Sequence, residues 1–424
     1  MSKFIIEGPV KLSGEIDVKG AKNSALKIIP AAILSAKTIH ITNLPNIEDI
    51  DKSLSLIADL GAEVKRDKST VTIDPSGINK TELNPVFANK FRASIMFVGP
   101  LLARFGEVTF HQPGGCVIGA SGRPIDLFIE GFGCLGAEIK YTEEEFYHLK
   151  AKKLTGCNYF FNVVSVTATE AMMMTAVLAQ GTTTLQNCAM EPEIKSLADY
   201  LNKQGAKITG AGTPTIIIEG VDEINAGEFE IIPDRIETGS FAIMAAATRS
   251  DIIIKNCHPD HTRVLLNIFN KIGVPFTESK DTLHIKPTDK IKPYSIKTHE
   301  YPGFPTDLQS PYTILMTQAE GSSLIHETIY DRRLLYVDML SQMGADIIMC
   351  DPHRIVINGP NQLYGKKLTS PDLRAGITMV ISGLIAKGAT EIDNIYQIDR
   401  GYEDIDGRLR ALGADIKRIG TLNL

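Results

Sequence analysis

Apolar residues recur at helical spacing in a series of stretches along the chain, and the same punctuation closes each one. Residues 50–60, 194–204, 262–272, 332–343 and 402–412 each carry an apolar stripe of period near 3.6 and then run into a glycine. The glycines stand at 61, 136, 205, 273, 344 and 413, with gaps of 75, 69, 68, 71 and 69 residues. A glycine just after an apolar-periodic run reads as a helix C-cap, because it takes the left-handed backbone conformation without a Cβ clash. A short β-rich run follows each glycine. Upstream in every unit lie a second helix-like stretch, a polar or small-residue break, and then a strand, at 38–41, 107–110, 182–185, 251–254, 322–325 and 390–392. The pattern predicts strand, helix, strand, helix, strand, strand, six times over.

The two halves also begin alike. Gly14-Glu15-Ile16-Asp17-Val18 leads to Lys22 as Gly227-Glu228-Phe229-Glu230-Ile231 leads to Arg235, so the six units group as three and three. A period near 70 with uneven gaps is too long for the common solenoids of about 20–50 residues. Two globular α/β domains of three units each are therefore expected, with an extended array as the alternative.

Composition then narrows the class. With 424 residues, 43% hydrophobic and 22% charged, the chain can build more than one core. Its first residues lack the apolar run and cleavage site of a secretory signal, and no stretch approaches the ~18 apolar residues of a membrane span. A soluble cytoplasmic protein with no membrane partner is expected. The formal charge of −6 argues against a nucleic-acid partner, which would call for a basic face. An anionic ligand must instead meet a local cluster of cations. Cys116, Cys134, Cys157, Cys188, Cys257 and Cys350 are widely spaced with no C-x-x-C pair, which predicts thiols, mostly buried, and neither a disulfide framework nor a zinc site.

The residues hardest to explain by packing cluster in the break before each unit's first helix: Lys22-Asn23, Phe91-Arg92, Ser165 to Thr169, Asp234 to Glu237, Pro305-Thr306-Asp307 and Asp372-Leu373-Arg374. A helix start offers unpaired N–H groups and about half a positive charge, which suits phosphate or carboxylate. Asp234 and Asp372 could equally be plain N-caps. Lys22 and Arg92 cannot, since a cation opposes the dipole at a helix start. One further stretch stands out, from His111 to Asp126, with four glycines around Cys116 and with Arg123 seven positions on. A cysteine in such a loop escapes apolar packing, and a nearby arginine would favour its thiolate or hold an anion beside it.

The segments Lys22-Asn23, Arg92-Ala93-Ser94, Pro113-Gly114-Gly115-Cys116, Arg123-Pro124-Ile125-Asp126, Glu191-Pro192-Glu193, Asp234-Arg235-Ile236-Glu237-Thr238-Gly239, Pro302-Gly303-Phe304-Pro305-Thr306-Asp307, Asp372-Leu373-Arg374-Ala375 and Asp399-Arg400-Gly401-Tyr402-Glu403 together resemble the UDP-N-acetylglucosamine 1-carboxyvinyltransferase family. The resemblance runs in register over essentially the whole chain. It implies two inside-out α/β barrel domains, each of three βαβαββ units around buried helices. One would be residues 22–233 with the Cys116 loop, the other residues 1–21 plus 234–424 with Asp307 and Arg400, and the active site would lie in the cleft between them. The implied reaction moves the enolpyruvyl group of phosphoenolpyruvate to the 3-hydroxyl of UDP-N-acetylglucosamine, the first committed step of peptidoglycan synthesis. These two small molecules are the implied partners, no metal or organic cofactor is called for, and the oligomeric state is left open.

By the same resemblance, Lys22, Arg123 and Arg400 form a cationic clamp on phosphoenolpyruvate, with Asn23 beside them and Arg333 and Arg374 in support. Cys116 matches the loop cysteine that protonates C3 and takes up the epoxide fosfomycin, and Asp307 matches the base near the sugar hydroxyl. Asn23, Arg92, Arg123, Pro124, Ile125, Asp126, Leu127, Val163, Val164, Ser165, Val166, Asp307 and Ile329 match contacts to the nucleotide sugar. Two features depart from the family's pattern. Cys116 and Arg123 are seven apart where five is usual, as though Ser121-Gly122 were inserted, and Thr167 replaces a usual glycine. The sister family, 5-enolpyruvylshikimate-3-phosphate synthase, and a catalytically idle paralogue are the competing readings.

Overall fold

The computed structural model describes residues 2–88, 92–111, 125–141 and 146–420. The chain divides into two compact units at Lys19/Gly20 and at Ile232/Pro233. Each unit has its own apolar core, one built from residues between Ala21 and Ile231, the other from Phe4 to Val18 together with residues between Ile236 and Ile416.

Among the described residues there are six separate sheets, three in each unit, and the five four-stranded ones share one strand order. In the C-terminal unit Ser13–Asp17 runs parallel to Asp251–Lys255, which pairs antiparallel with Thr282–Ile285, and Phe276–Glu278 forms the far edge. The order repeats in Ile296–Lys297, Gly321–His326, Arg354–Gly359 and Asp346–Asp351. It repeats again in Lys367–Thr369, Gly388–Asp393, Lys3–Gly8 and Asp415–Ile419, where the chain's first strand fills an inner place in its last sheet. The N-terminal unit has Glu228–Glu230, Ile39–Thr42, Thr70–Asp74 and Glu63–Asp67 in one sheet, and Asn158–Phe160, Thr182–Gln186, Thr215–Glu219 and Lys207–Thr209 in another. Its third sheet joins Glu107–His111, Phe146–Lys150 and Glu138–Tyr141, with Glu82 bridged in parallel to Thr109 where the fourth strand belongs. The likeness of 14–18 to 227–231 thus has a topological meaning. Ser13–Asp17 precedes Lys22 but belongs to the C-terminal unit, and Glu228–Glu230 precedes Arg235 but belongs to the N-terminal unit.

Inside each unit lie three helices with few exposed positions: Lys22–Ala31, Val98–Phe105 and Val166–Ala176 in one, Arg235–Ala247, Gln309–Met316 and Leu373–Ile385 in the other. They are made of Ala, Met, Ile, Gly and small hydroxyl residues with little polar face, and a helix apolar all round belongs in a core. In the C-terminal unit the three touch one another, and each backs one of the three sheets. Amphipathic helices such as Glu48–Asp59, Pro192–Lys203 and Arg263–Ile272 bury one face only. The six glycines that close these second helices have φ between 85° and 113°, the left-handed region a C-cap demands.

Some expectations are corrected. The stretch 332–343 is helical only over Val337–Gln342, and 402–412 only over Ile405–Ala411, because Arg332 and Asp404 take positive φ of 59° and 42° and break the pattern. Cys134 and Cys157 are not thiols but a disulfide joining the end of helix Asp126–Cys134 to the chain entering Asn158–Phe160. Their separation of 23 residues carries no signal, since the fold alone brings them together. Cys188 and Cys257 are buried thiols, while Cys350 is exposed.

A lysine and a glutamate meet inside the N-terminal core: Lys27 Nζ is 3.2 Å from Glu170 Oε2, with side chains 6% and 0% exposed. Burial pushes the Glu170 carboxyl up to about 8 against the pull of Lys27, and Glu193 and Glu191 raise it further. The folded state therefore holds a proton that the unfolded chain, titrating near 4.5, gives up. This contribution is complete below the unfolded value and is lost as pH rises through the folded one. Melting temperature should fall between pH 5 and pH 9 on this account, and Glu170→Gln should flatten that part of the profile in thermal melts at stepped pH.

Candidate active site

Asp307 is the centre of the C-terminal cluster. It lies in the turn Thr306–Leu308 that opens helix Gln309–Met316, where a short acidic residue would ordinarily cap. No cap forms there, and the carboxylate turns to two arginines. Arg333 Nη2 donates to Oδ1 at 2.9 Å and Arg374 Nη2 to Oδ2 at 2.7 Å, the two guanidinium groups being 4% and 7% exposed against 25% for Asp307. Burial is the largest single influence and works against the charge on each arginine, but Asp307 together with Asp372 and Glu327 around Arg333, and with Tyr402 and Asp234 around Arg374, holds both above their ordinary value. Arg374 is the second residue of helix Leu373–Ile385, whose first amides are capped by Asp372. Its Nη1 also reaches the hydroxyl of Tyr402 at 3.4 Å, which in turn meets Ser240 Oγ at 2.9 Å. Asp234 caps helix Arg235–Ala247 in the same way as Asp372. For these two aspartates the N-cap reading holds.

A buried carboxylate that sequence reasoning missed shapes this cluster. Glu327 Oε1 accepts from Thr298 Oγ1 and from the backbone amides of Ile329 and Tyr330, and Oε2 accepts from Thr306 Oγ1 at 2.9 Å. It therefore ties the turn carrying Asp307 to the segment carrying Ile329. Glu327→Ala would orphan several of these donors, at ~1–3 kcal/mol for each buried group. The variant should lose roughly 3 kcal/mol, read as a melting temperature several degrees lower. Arg400 follows the short helix Tyr396–Asp399 and donates to Gln397 Oε1 at 3.1 Å. Its neighbour Asp399 is gripped by Arg418 through two bonds of 2.8 Å, a second pairing with no sequence signal.

In the N-terminal unit Lys22 opens its helix and is paired at 2.8 Å with Asp49, near the start of Glu48–Asp59, so the cation answers a carboxylate rather than the helix dipole. Asn23 and Arg92 are half-buried, the latter at the start of Arg92–Phe97. Ser165 caps Val166–Ala176 through Ala168 N at 3.3 Å, Val163 is 62% exposed, and Val164, Val166 and Thr167 are half-buried around it. Ile125 is buried, Asp126 exposed and Leu127 half-buried, with the Leu127 carbonyl accepting from the Tyr159 hydroxyl. Cys116, Arg123, Pro124 and the Ser121-Gly122 pair lie outside the described residues. Among the described residues no group of three or more His, Cys, Asp or Glu could hold a metal ion, and no helix is long and apolar enough to cross a membrane.

The pattern that defines the EPSP synthase (3-phosphoshikimate 1-carboxyvinyltransferase) family matches residues 6–409. Two relatives named UDP-N-acetylglucosamine 1-carboxyvinyltransferase, from Desulforapulum autotrophicum and Halothermothrix orenii, are each 43% identical over 419 residues, covering 99% of this chain and all of theirs. The chain belongs to the UDP-N-acetylglucosamine 1-carboxyvinyltransferase family. A member from Listeria monocytogenes, numbered 2 in its organism, is likewise 43% identical over 99% of this chain. Solved structures share the fold at lower identity. The enolpyruvyl transferase NikO from Streptomyces tendae superposes with a TM-score of 0.90 at 22% identity, covering 99% of both chains. EPSP synthase from Acinetobacter baumannii gives 0.77 at 19%, covering 99% of this chain and all of its own. The family match extends over both units.

Proposed function

We propose that this chain transfers the enolpyruvyl group of phosphoenolpyruvate to the 3-hydroxyl of UDP-N-acetylglucosamine, releasing phosphate, in the cytoplasmic phase of peptidoglycan synthesis. The observation that carries the proposal is identity of 43% to enzymes of that name across the whole of both chains. Phosphoenolpyruvate brings about three negative charges to a chain of net charge −6, and only converging cations and N–H groups can hold it. Lys22, Arg123 and Arg400 supply them, with Asn23, Arg333 and Arg374 in support.

Addition to the enol phosphate needs one proton delivered to C3 and one removed from the sugar hydroxyl as its oxygen bonds C2, giving a tetrahedral phospho-ketal; loss of a proton from C3 as the bond from C2 to the phosphate oxygen breaks then restores the double bond and releases phosphate. Cys116 is the acid and Asp307 the base. Both oxygens of Asp307 are held by guanidinium groups. An arriving phosphate or carboxylate competes with it for Arg374. As that guanidinium turns to the substrate, one oxygen of Asp307 is freed to accept from the sugar hydroxyl. The developing charge is met by lysine and arginine already in place. The test is phosphate release from phosphoenolpyruvate with UDP-N-acetylglucosamine or with shikimate 3-phosphate as acceptor. Release with the nucleotide sugar alone is expected. Release with shikimate 3-phosphate alone would move the chain to the sister activity, and none with either would make it a binding protein.

A further inference from the structure

We propose that Asp399 and Arg418 are positioning residues for phosphoenolpyruvate binding, their paired bonds fixing the turn from which Arg400 projects. The inference rests on the reading above, in which Arg400 holds phosphoenolpyruvate. Arg400 directly follows Tyr396–Asp399, a helix of one turn. So short a helix cannot hold its own shape in water, and neighbouring parts of the fold must supply it. Apolar packing supplies one side. Ile398 is fully buried, and two glycines let the turn lie close on helix Leu373–Ile385: a Cβ on Gly376 would stand 2.5 Å from Ile398 Cγ1, and one on Gly401 would stand 2.5 Å from Leu373 Cδ1.

Arg418, on strand Asp415–Ile419, supplies the other side. Its Nη1 donates to Asp399 Oδ2 and its Nη2 to Oδ1, both at 2.8 Å, a two-pronged grip that fixes direction as well as distance. The arginine is itself braced. It stands opposite Phe4 in the sheet with its guanidinium 4.7 Å from the centre of that ring, and its Nε and Nη2 also donate to Asp406 Oδ1 at 3.1 and 2.7 Å. Asp406 belongs to helix Ile405–Ala411, so these last bonds already join that helix to the strand. The grip on Asp399, whose side chain is 26% exposed, comes in addition. A partly exposed pair adds little to stability. What it adds is aim. With Ile398 and Gly401 seated on one side and Asp399 gripped on the other, the backbone is fixed before and after Arg400, and Gln397 Oε1 accepts from the Arg400 Nη1 at 3.1 Å. A guanidinium that must meet a phosphate or carboxylate loses much of its effect when displaced by about 1 Å.

The test is steady-state kinetics of Asp399→Ala beside the wild type, each substrate varied in turn. Arg418 keeps Asp406 in this variant, so the melting temperature should stay close to that of the wild type. KM for phosphoenolpyruvate should rise by about fivefold or more, while KM for UDP-N-acetylglucosamine stays within about twofold. A purely structural role would lower the active fraction, and with it the apparent kcat, and would move neither KM. An unchanged KM for phosphoenolpyruvate, or an equal rise in both constants, would therefore overturn the proposal. Should Asp399→Ala not fold, Arg418→Lys decides by the same two constants, because it keeps the charge but cannot make two parallel bonds. A wild type inactive with these substrates would instead sink the functional reading, so the two failures are told apart by the first assay.

Discussion

Asp307→Asn should lower turnover by ~10²-fold or more, the usual worth of a positioned general base. The substitution keeps the shape and one acceptor but removes the charge between two nearly buried guanidinium groups. Stability must therefore fall as well, since an unpaired buried charge is costly. The two effects are separated by measuring kcat well below the melting temperature. If turnover stays within about threefold of wild type while the melting temperature drops, Asp307 is a counter-ion for Arg333 and Arg374 and no base. If turnover collapses in a protein that still melts cooperatively, the carboxylate acts on the substrate. Arg374→Gln sharpens the comparison. It frees one oxygen of Asp307 yet removes a phosphoenolpyruvate ligand, so KM for phosphoenolpyruvate should rise while the loss in kcat stays smaller.

Treatment with fosfomycin should inactivate the protein through Cys116 and through no other cysteine. The thiolate is the nucleophile, and a cation beside it raises its population. Burial pushes Cys188 and Cys257 up to about 12, which leaves them unreactive at neutral pH, and Cys134 is tied to Cys157. Cys350 is exposed and is the competitor to watch. Labelling should quicken in the presence of UDP-N-acetylglucosamine and be slower than the family's norm if the Ser121-Gly122 insertion lengthens the loop's path to the cations. Cys116→Asp should retain some turnover, because a carboxylic acid can deliver the proton, and should be insensitive to the epoxide. Peptide mapping that finds the label on Cys350, or full inhibition of Cys116→Asp, would show that the loop assignment is wrong.

The repeat was legible because its signals are local. A C-cap glycine needs only its own φ and the helix before it, and all six stand where the apolar pattern ends. The start-of-half likeness was equally plain, though only the pairing of Ser13–Asp17 with Asp251–Lys255 shows that it marks an exchange of strands. What stayed hidden depends on contacts between distant segments. Glu327 and Arg418 look like ordinary surface charges in sequence, since nothing nearby announces the four donors around one or the two carboxylates around the other. Asp307 shows the ambiguity from the other side. Its position beside a helix start fits a cap as well as a base, and only the direction of its side chain separates the two.

The strand exchange bears on how the chain emerges from the ribosome. All strands of the N-terminal unit are in hand once residue 230 has been made, and domains fold as units, the first one early in synthesis. Residues 3–17 cannot join in. Lys3–Gly8 pairs with Gly388–Asp393 and Asp415–Ile419, so this early strand waits for segments made about 380 to 410 residues later. A stop codon before residue 415 would leave that strand as a bare sheet edge, open to pairing with any other nascent copy. The sheet that Lys3–Gly8 holds open is thus closed only once Asp415–Ile419 has been made.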